Sequence, residues 1–186
     1  MSGTWSRDNV PMRVIAGSRK GHRIEAPKGL ATRPTSDRVR ENVFNLVQSW
    51  VEDAIVLDLF AGSGAMGIEA LSRGAGRAVF VESDAQACRS IEHNLDKLRL
   101  VGAEIVRRDV LRFVAADTRT YDLVFCDPPY DEYVDVEPTL ARYAPKLLSE
   151  DGLLVLETAA KTEPQLPLEL RTSRRYGAAR ITLFHR

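Results

Sequence analysis

The chain has 186 residues, of which 44% are hydrophobic and 28% are charged, and its formal net charge is zero. This length is sufficient for one domain with a well-buried core. No apolar run approaches the roughly 18 residues that a membrane span needs, and the first residues lack the apolar core of a signal peptide, so we expect a cytoplasmic protein with no membrane partner.

The zero net charge conceals an uneven distribution along the chain. Residues 1–40 carry nine Lys or Arg against three Asp or Glu, residues 41–170 carry 12 against 23, and residues 171–186 carry five basic residues and no acid. A basic beginning and a basic end therefore flank an acidic middle. This distribution favours a polyanionic partner at one surface, although charged termini that are simply solvated would produce the same counts.

The first predicted element is a β-hairpin. Residues 12–27, MRVIAGSRKGHRIEAP, contain two short runs with apolar residues on either side of a Gly-Ser-Arg-Lys-Gly centre. Such a pattern is typical of two strands joined by a turn. The predicted tip is basic and contains Arg19, Lys20, His22 and Arg23.

A helix is predicted next, within residues 33–51. Thr35 or Ser36 can cap its N-terminus, and apolar residues recur at helical spacing at Val39, Val43, Leu46, Val47 and Trp50. We expect this apolar stripe to pack inward, leaving Arg38 and Arg40 on its flanks.

From Ala54 onwards, short apolar runs alternate with helical patterns. The predicted strands are AIVLDLF, RAVFVES, AEIVRRD, YDLVFCD and GLLVLET, with helices between them, and the chain closes with a hairpin made by LRTSRRYG and AARITLFHR. Continuous apolar strands separated by helices are typical of a parallel sheet covered on both faces, the doubly wound α/β class. The two cysteines, Cys88 and Cys126, lack metal-ligand spacing and are interpreted as buried thiols.

The turn after the first predicted strand is rich in glycine. It reads DLFAGSGAMG, so Gly62, Gly64 and Gly67 satisfy G-x-G-x-x-G, and Glu82 follows 20 residues after Gly62. Glycines let a ligand approach the backbone, and the start of the next helix offers unpaired N–H groups. The motif indicates a nucleotide-like cofactor without saying which one, because a dinucleotide fingerprint looks the same.

Acids at the ends of four predicted strands narrow the choice of cofactor. Asp58, Glu82, Asp109 and Asp127 follow successive strands, whose carboxyl ends line the ligand crevice of an open α/β sheet. They suit a cationic ligand better than a pyrophosphate: on S-adenosylmethionine, Asp58 can approach the ammonium, Glu82 the ribose hydroxyls and Asp109, with the Val110 backbone, the adenine amine. Two further interpretations remain open, a Mg²⁺ site and helix capping by Asp84 and Asp109.

The stretch DPPY, residues 127–130, follows the fourth predicted strand. Its prolines fix the backbone and donate no hydrogen bond. The Asp127 carboxylate and the Pro128 carbonyl can hold the two N–H groups of an exocyclic base amine, while Tyr130 stacks on the base. Methyl transfer to such an amine depends on orientation and on compensating charge and needs no covalent intermediate, although Cys126 remains a rival as a nucleophile.

With these motifs in place, the chain closely resembles the class I S-adenosylmethionine-dependent methyltransferases. More narrowly it resembles the bacterial RsmD-type family, whose members methylate the exocyclic N2 of a guanine in 16S ribosomal RNA. The resemblance extends from Met12 to the C-terminus and rests on four blocks in order: MRVIAGSRKGHRI, RPTSDRVRENVFN, DLFAGSGAMGIEALSRGA and DPPY.

The resemblance implies a Rossmann-like sheet of seven strands with the last strand antiparallel, and a small N-terminal β-hairpin extension. It implies an RNA-contacting region in residues 1–53 and a methyltransferase domain in residues 54–186. Catalysis is expected at Asp127, Pro128, Pro129 and Tyr130. Cofactor contacts are expected at Asp58, Phe60, Ala61, Gly62, Gly64, Glu82, Ser83, Asp109 and Val110. RNA contacts are expected at Arg13, Arg19, Lys20, Arg23, Arg33, Arg38 and Arg40.

The resemblance implies that the partner is 16S rRNA within a small-subunit ribosomal particle, and a monomer is the simplest expectation. No metal site is expected. The DPPY motif can bind any exocyclic amine of an aromatic base. The motif alone therefore does not decide whether guanine N2 or adenine N6 is methylated. An NAD-dependent oxidoreductase and an RNA-binding module with a degenerate cofactor site remain as alternatives from other classes.

Overall fold

The computed structural model describes residues 12–27 and 37–186. Within the second range, helices and strands alternate as predicted. The helices are α1 (Asp37–Leu46), α2 (Ala65–Ser72), α3 (Ala85–Leu98), α4 (Val110–Ala116) and α5 (Tyr133–Leu147). The strands are β1 (Ile55–Leu59), β2 (Arg77–Glu82), β3 (Ala103–Arg107), β4 (Tyr121–Cys126), β5 (Leu148–Ala159), β6 (Glu169–Tyr176) and β7 (Ala179–His185).

All seven strands form one sheet in the order β3-β2-β1-β4-β5-β7-β6. Strands β1 to β5 pair in parallel, whereas β7 is antiparallel to both of its neighbours, β5 and β6. The predicted doubly wound α/β sheet with an antiparallel last strand is therefore confirmed. Strand order reverses between β1 and β4, and in such sheets a ligand crevice forms outside the carboxyl ends of those two strands.

Side chains of the central strands contribute to two separate apolar layers, one on each face of the sheet. In β1, Val56 belongs to the layer beneath α1, α2 and α3, and Leu57 belongs to the layer beneath α4 and α5. Successive residues of a strand point to opposite faces, so a strand that contributes to both layers is apolar at nearly every position. This explains why the predicted strands read as continuous apolar runs.

Residues 12–27, called here the N-terminal arm, form a smaller hairpin than predicted. Its antiparallel pairing consists of one isolated bridge between Arg13 and Arg23, with the Val14 N–H donating to the His22 carbonyl at 2.9 Å. A 3-10 turn over Gly17–Arg19 closes it. Gly17 has φ +80°, and a Cβ there would lie 1.8 Å from the Ser72 carbonyl oxygen, so only glycine fits.

Buried polar side chains of α2 and α3 hold the arm by its backbone. Glu69, fully buried, accepts the N–H of Ile15 at 2.7 Å and the N–H of Ala16 at 2.9 Å. Asn94, also fully buried, accepts the Glu25 N–H at 2.8 Å and donates to the Glu25 carbonyl at 2.9 Å. The arm is thus docked onto the body of the protein by hydrogen bonds that the sequence did not suggest.

The arm also shares the core of the body. Val14 and Ile24 are buried in the same apolar cluster as Phe44 of α1 and Ile68 of α2. The division at residues 53 and 54 remains a prediction, and the described part of the predicted extension has no core of its own. In the part of the chain that the structure describes, no helix is both long and apolar enough to cross a membrane.

Candidate active site

The loop between β1 and α2 adopts the conformation that its glycines permit. Gly62 and Gly64 have φ of +53° and +75°, and Phe60 has φ +59°, which is uncommon for a residue with a side chain. Among the described residues, a Cβ added at Gly62 would meet only the Phe60 carbonyl oxygen, at 3.9 Å. The space beside Gly62 is therefore open to a ligand.

The third glycine of the motif serves packing. A Cβ on Gly67 would lie 2.3 Å from the ring of Phe80, which is fully buried in β2. Ala61, also buried, donates its N–H to the Val81 carbonyl at 3.2 Å and accepts from the Gly64 N–H at 2.7 Å. These contacts tie the loop to β2 and hold the start of α2 close to the sheet.

Asp58 lies beneath the loop and is 3% exposed. Its Oδ2 accepts the Gly67 N–H at 2.9 Å. Burial raises the pKa of Asp58 to about 8, against the lowering effect of the Gly67 hydrogen bond, and the nearby charges of Asp127 and Glu82 raise it further. Asp58 therefore braces the loop in this structure, and its contact with a cofactor ammonium remains a prediction.

Glu82 joins the end of β2 to the glycine loop. Its Oε2 accepts the Gly62 N–H at 2.9 Å, and its Oε1 accepts the Asp84 N–H at 2.9 Å and the Ser83 hydroxyl at 3.4 Å. A carboxylate has about four acceptor positions, so these bonds leave capacity for ribose hydroxyls. The carboxylate is thus fixed at the rim of the crevice where the sequence predicted it.

Asp84 and Asp109 cap helices, as the helix-capping interpretation of these acids anticipated. Asp84 accepts the N–H groups of Gln86 and Ala87 at the start of α3. Asp109 accepts the Arg112 N–H at 2.9 Å at the start of α4. Asp109 is exposed and Val110, next to it, is buried. Capping occupies one Asp109 oxygen, and the predicted adenine contact remains a prediction.

The DPPY segment lies beside the glycine loop because β4 and β1 are neighbours. Leu59 pairs with Cys126, and the Asp127 N–H points to the Leu59 carbonyl at 3.5 Å. Pro128 is buried and Pro129 is exposed. Tyr130 is 39% exposed, and its hydroxyl donates to Glu157 Oε1, at the end of β5, at 3.0 Å. An exposed ring held at one end is suited to stacking.

Neither cysteine is suited to nucleophilic chemistry. Cys126 is 1% exposed, and burial raises the pKa of its thiol well above the ordinary value, with Asp127 and Asp58 adding to the shift. Cys88 is half-buried, and burial raises its thiol pKa as well. A thiol that resists ionisation is a weak nucleophile. Among residues 12–27 and 37–186, no group of three or more His, Cys, Asp or Glu could hold a metal ion.

Four of the predicted RNA-contacting side chains are exposed in the structure: Arg13, Lys20, Arg23 and Arg38. Arg33, together with the predicted capping residues Thr35 and Ser36, lies outside the described residues. The arm therefore presents three of these cations to solvent, and their contact with RNA remains a prediction.

Arg19 is engaged within the protein. Its Nε donates to the Leu98 carbonyl and its Nη2 donates to the Arg99 carbonyl at 3.2 Å. These carbonyls belong to the C-terminal end of α3, which favours a positive charge. Arg19 thus fastens the turn of the arm to α3, a role that its sequence position did not indicate.

The prediction that Arg40 lies on an exposed flank of α1 is wrong. Its side chain is fully buried, and its Nη2 donates to the Arg13 carbonyl and to Asp37 Oδ1 at 2.9 Å. Arg40 precedes Val43 by three residues and Phe44 by four, so it shares their face of the helix. Burial lowers its pKa, which Asp37 and Glu69 partly offset. The guanidinium is therefore not exposed in this structure, and its contact with RNA remains a prediction.

Comparison with known proteins agrees with this geometry. The model of a family described as "Conserved hypothetical protein 95" matches residues 12–185. The chain is 37% identical to "Putative rRNA methyltransferase YlbH" of Bacillus subtilis (strain 168), over 93% of this chain and 98% of that protein. It is 35% identical to "Ribosomal RNA small subunit methyltransferase D" of Escherichia coli (strain K12), over 87% of this chain and 78% of that protein.

A solved structure shows the same architecture. "Putative methyltransferase yhhF from Escherichia coli" matches with a TM-score of 0.83 and 31% identity, covering 95% of this chain and 98% of that one. A match over nearly the full length of both chains means that the arm, the seven-stranded sheet and the loops at its carboxyl edge belong to one shared fold.

Proposed function

The chain belongs to the RsmD-type family described as "Conserved hypothetical protein 95", and from that membership we propose that it transfers a methyl group from S-adenosylmethionine to the exocyclic N2 amine of a guanine in small-subunit ribosomal RNA. The observation that carries the proposal is the juxtaposition of two loops. Pairing of Leu59 with Cys126 brings the glycine loop and DPPY side by side at the carboxyl edge of the sheet. A methyl donor in one loop would face an amine in the other.

The residues of the crevice suit S-adenosylmethionine. Asp58, Glu82 and Asp127 lie close enough for the charges of the other two to raise the pKa of Asp58, so a cationic ligand relieves their mutual repulsion. Gly62 leaves open space for the ligand to approach the backbone. We assign Glu82 to the ribose hydroxyls and Asp109 to the adenine amine. The bound cofactor supplies a methyl group on a positively charged sulfur.

DPPY prepares the amine for attack. The lone pair of a guanine N2 amine is delocalised into the ring, which makes the amine a poor nucleophile. Asp127 and the Pro128 carbonyl accept its two N–H groups and direct the lone pair towards the methyl carbon, while Tyr130 stacks on the base. The nitrogen forms the new bond as the carbon–sulfur bond breaks. The nitrogen then loses one proton, which we assign to Asp127.

RNA is held in part by the exposed cations of the arm. Arg13 and Arg23 lie near the end of the arm that meets the glycine loop, where the Ser63 hydroxyl donates to Met12 Sδ at 3.5 Å. Lys20 follows Arg19 at the other end of the arm, near the C-terminal ends of α2 and α3. The negative charge of RNA makes such contacts strongly dependent on salt. We propose a small-subunit ribosomal particle as the physiological substrate, a monomeric enzyme and a cytoplasmic location.

One experiment tests the assignment. The protein is incubated with S-adenosylmethionine labelled in its methyl group and with small-subunit particles that lack this modification, and the labelled nucleotide is mapped by mass spectrometry. Label on a guanine N2 is expected, and the Asp127→Ala variant serves as the inactive control. Label on an adenine N6 would instead identify the alternative substrate.

If no methyl transfer occurs, two alternatives remain, an NAD-dependent oxidoreductase and an RNA-binding module. Calorimetry with S-adenosylmethionine and NAD separates them, because an oxidoreductase would bind NAD and not S-adenosylmethionine. Salt-dependent RNA binding without either transfer or cofactor binding would indicate an RNA-binding module and would contradict the proposal.

A further inference from the structure

The basic end of the chain is divided between the two faces of the sheet. Residues 171–186 contain five arginines and no acid. On the face covered by α4 and α5, Arg175 and the buried Arg180 share Glu163, at 3.8 Å and 3.1 Å. Their charges are therefore partly balanced within the protein.

The opposite face of β6 differs. Arg174 pairs across the ladder with Ile181, whose side chain lies in the apolar layer under α1, so Arg174 points to that same face. Arg171 stacks over the ring of Trp50, 4.6 Å from its centroid, just beyond α1. Both arginines are exposed, and within the two described ranges neither forms an ion pair. We call these two side chains the β6 basic face.

Strand register places Arg174, one of the two members of this face, level with the catalytic loop. Glu157 of β5, which holds the Tyr130 hydroxyl, pairs with Ile181, and Ile181 pairs with Arg174. Arg174 is thus two strands from Glu157, roughly 10 Å at the usual strand spacing. This separation is about one Debye length at 0.1 M salt, so the charge of Arg174 acts on a phosphate that lies over Glu157 and the Tyr130 hydroxyl.

The arm lies on the other side of the same loop. Its anchors are on α2 and α3, which lie over the β1-to-β3 half of the sheet, whereas β6 forms the opposite edge. The α1 layer covers the face that both share. The end of the arm that carries Arg13 and Arg23 meets the glycine loop, where Ser63 donates to Met12 Sδ at 3.5 Å. A polyanion that reaches DPPY can therefore contact these cations on one side and Arg174 on the other.

We propose that the β6 basic face binds phosphates of the RNA substrate, so that the RNA straddles the catalytic loop between the arm and the edge of the sheet. The inference rests on the proposed function, since it requires RNA at DPPY. A different explanation for arginines on an edge strand is that they prevent pairing with the edge of another molecule. That explanation does not account for the level of Arg174 with the catalytic loop, and it predicts a different result in the experiment.

The experiment compares the Arg171→Gln/Arg174→Gln variant with the unaltered protein. Binding of unmodified small-subunit particles is measured between about 50 mM and 200 mM salt. Each lost phosphate contact lowers the slope of log affinity against log salt by about 0.7 to 0.9, so a loss of about 1.5 is expected for the pair. KM for the particle should rise while kcat stays unchanged, because the loop itself is intact.

Two further variants serve as controls. Arg142→Gln/Lys146→Gln removes two exposed charges from α5, on the opposite face of the sheet, and should leave the slope unchanged. The single Arg174→Gln variant keeps the Arg171 contact with Trp50. Its salt slope should change by about half as much as that of the double variant. Thermal unfolding verifies that each variant is folded.

An unchanged salt slope in a folded Arg171→Gln/Arg174→Gln variant would overturn the inference, and so would an equal loss in the α5 control. Self-association of the variant with unaltered particle binding would also overturn it, in favour of edge protection. Failure of the unaltered protein to methylate the particles would instead refute the proposed function, which separates the two results.

Discussion

Removal of the Glu69 carboxylate should destabilise the protein and release the arm. In the Glu69→Ala variant, the N–H groups of Ile15 and Ala16 lose their acceptor, and Arg73 Nε loses its partner at 2.7 Å. Glu69 is fully buried, so water does not replace these bonds without rearrangement. Each buried N–H left unpaired costs about 1–3 kcal/mol, and removal of one member of a buried ion pair costs about 3–5 kcal/mol.

These costs overlap, because all of them arise from the same carboxylate. We therefore expect the free energy of unfolding to fall by about 3–5 kcal/mol. For a domain of this size, each kcal/mol lowers the melting temperature by roughly 2–4 °C. Melting should thus occur roughly 10 °C lower. Because the arm is held through this carboxylate, RNA binding should weaken more than cofactor binding does.

Urea unfolding gives the free energy, and hydrogen exchange at Ile15 and Ala16 reports whether the arm has detached. Glu92→Ala is a matched control, since Glu92 is exposed on α3 and its removal should change stability by less than about 0.5 kcal/mol. A loss below about 1 kcal/mol for Glu69→Ala, or unchanged protection of the two amides, would refute the argument that Glu69 anchors the arm.

Three other perturbations test the active site. Asp127→Ala should abolish methyl transfer and leave cofactor affinity within about a few-fold, as measured by labelled transfer and calorimetry, because its role is on the amine. Tyr130→Phe should retain most activity, since it keeps the ring while removing the hydroxyl that bonds to Glu157, whereas Tyr130→Ala should raise KM for RNA by removing the stacking surface. Burial raises the pKa of Asp58 from 3.8 to about 8, so the folded chain keeps a proton that the unfolded chain releases in this window. Stability should therefore fall as pH rises from about 4 to about 8, by at most about 1.4 kcal/mol per pH unit, and urea titrations of Asp58→Asn should lack this slope.

The sheet was predictable because its signal is local and repeated. Strands such as β1 and β4 are apolar at nearly every position, with Asp58 and Asp122 as the acidic exceptions, and the glycine turn marks where β1 ends. The acids of the crevice were predictable for a related reason, since parallel strands bring their carboxyl ends to one edge whatever their order. Asp58 shows the limit of this argument, because its pattern gave no sign that it lies beneath the loop, bonded to Gly67.

The docking of the arm was not predictable from the sequence pattern. Glu69 and Asn94 are polar residues in amphipathic helices, and their burial depends on a segment 53 to 69 residues earlier in the chain. No periodic pattern records such a distant partner. Arg40 is different, because its spacing to Val43 and Phe44 already placed it on the apolar face. For Arg40, the position on the helix determines burial more strongly than the charge of the side chain does.

The buried polar side chains of α2 and α3 that dock the arm bind its main chain. Glu69 contacts backbone N–H groups, Asn94 contacts the N–H and carbonyl of Glu25, and Ser72 contacts the Arg19 N–H and the Ala16 carbonyl. Every amino acid except proline offers the same backbone groups. The outward side chains of the arm can therefore be exchanged without moving the arm. In a saturation mutagenesis library, positions 16 and 25 should tolerate many residues, while positions 69 and 94 should tolerate few.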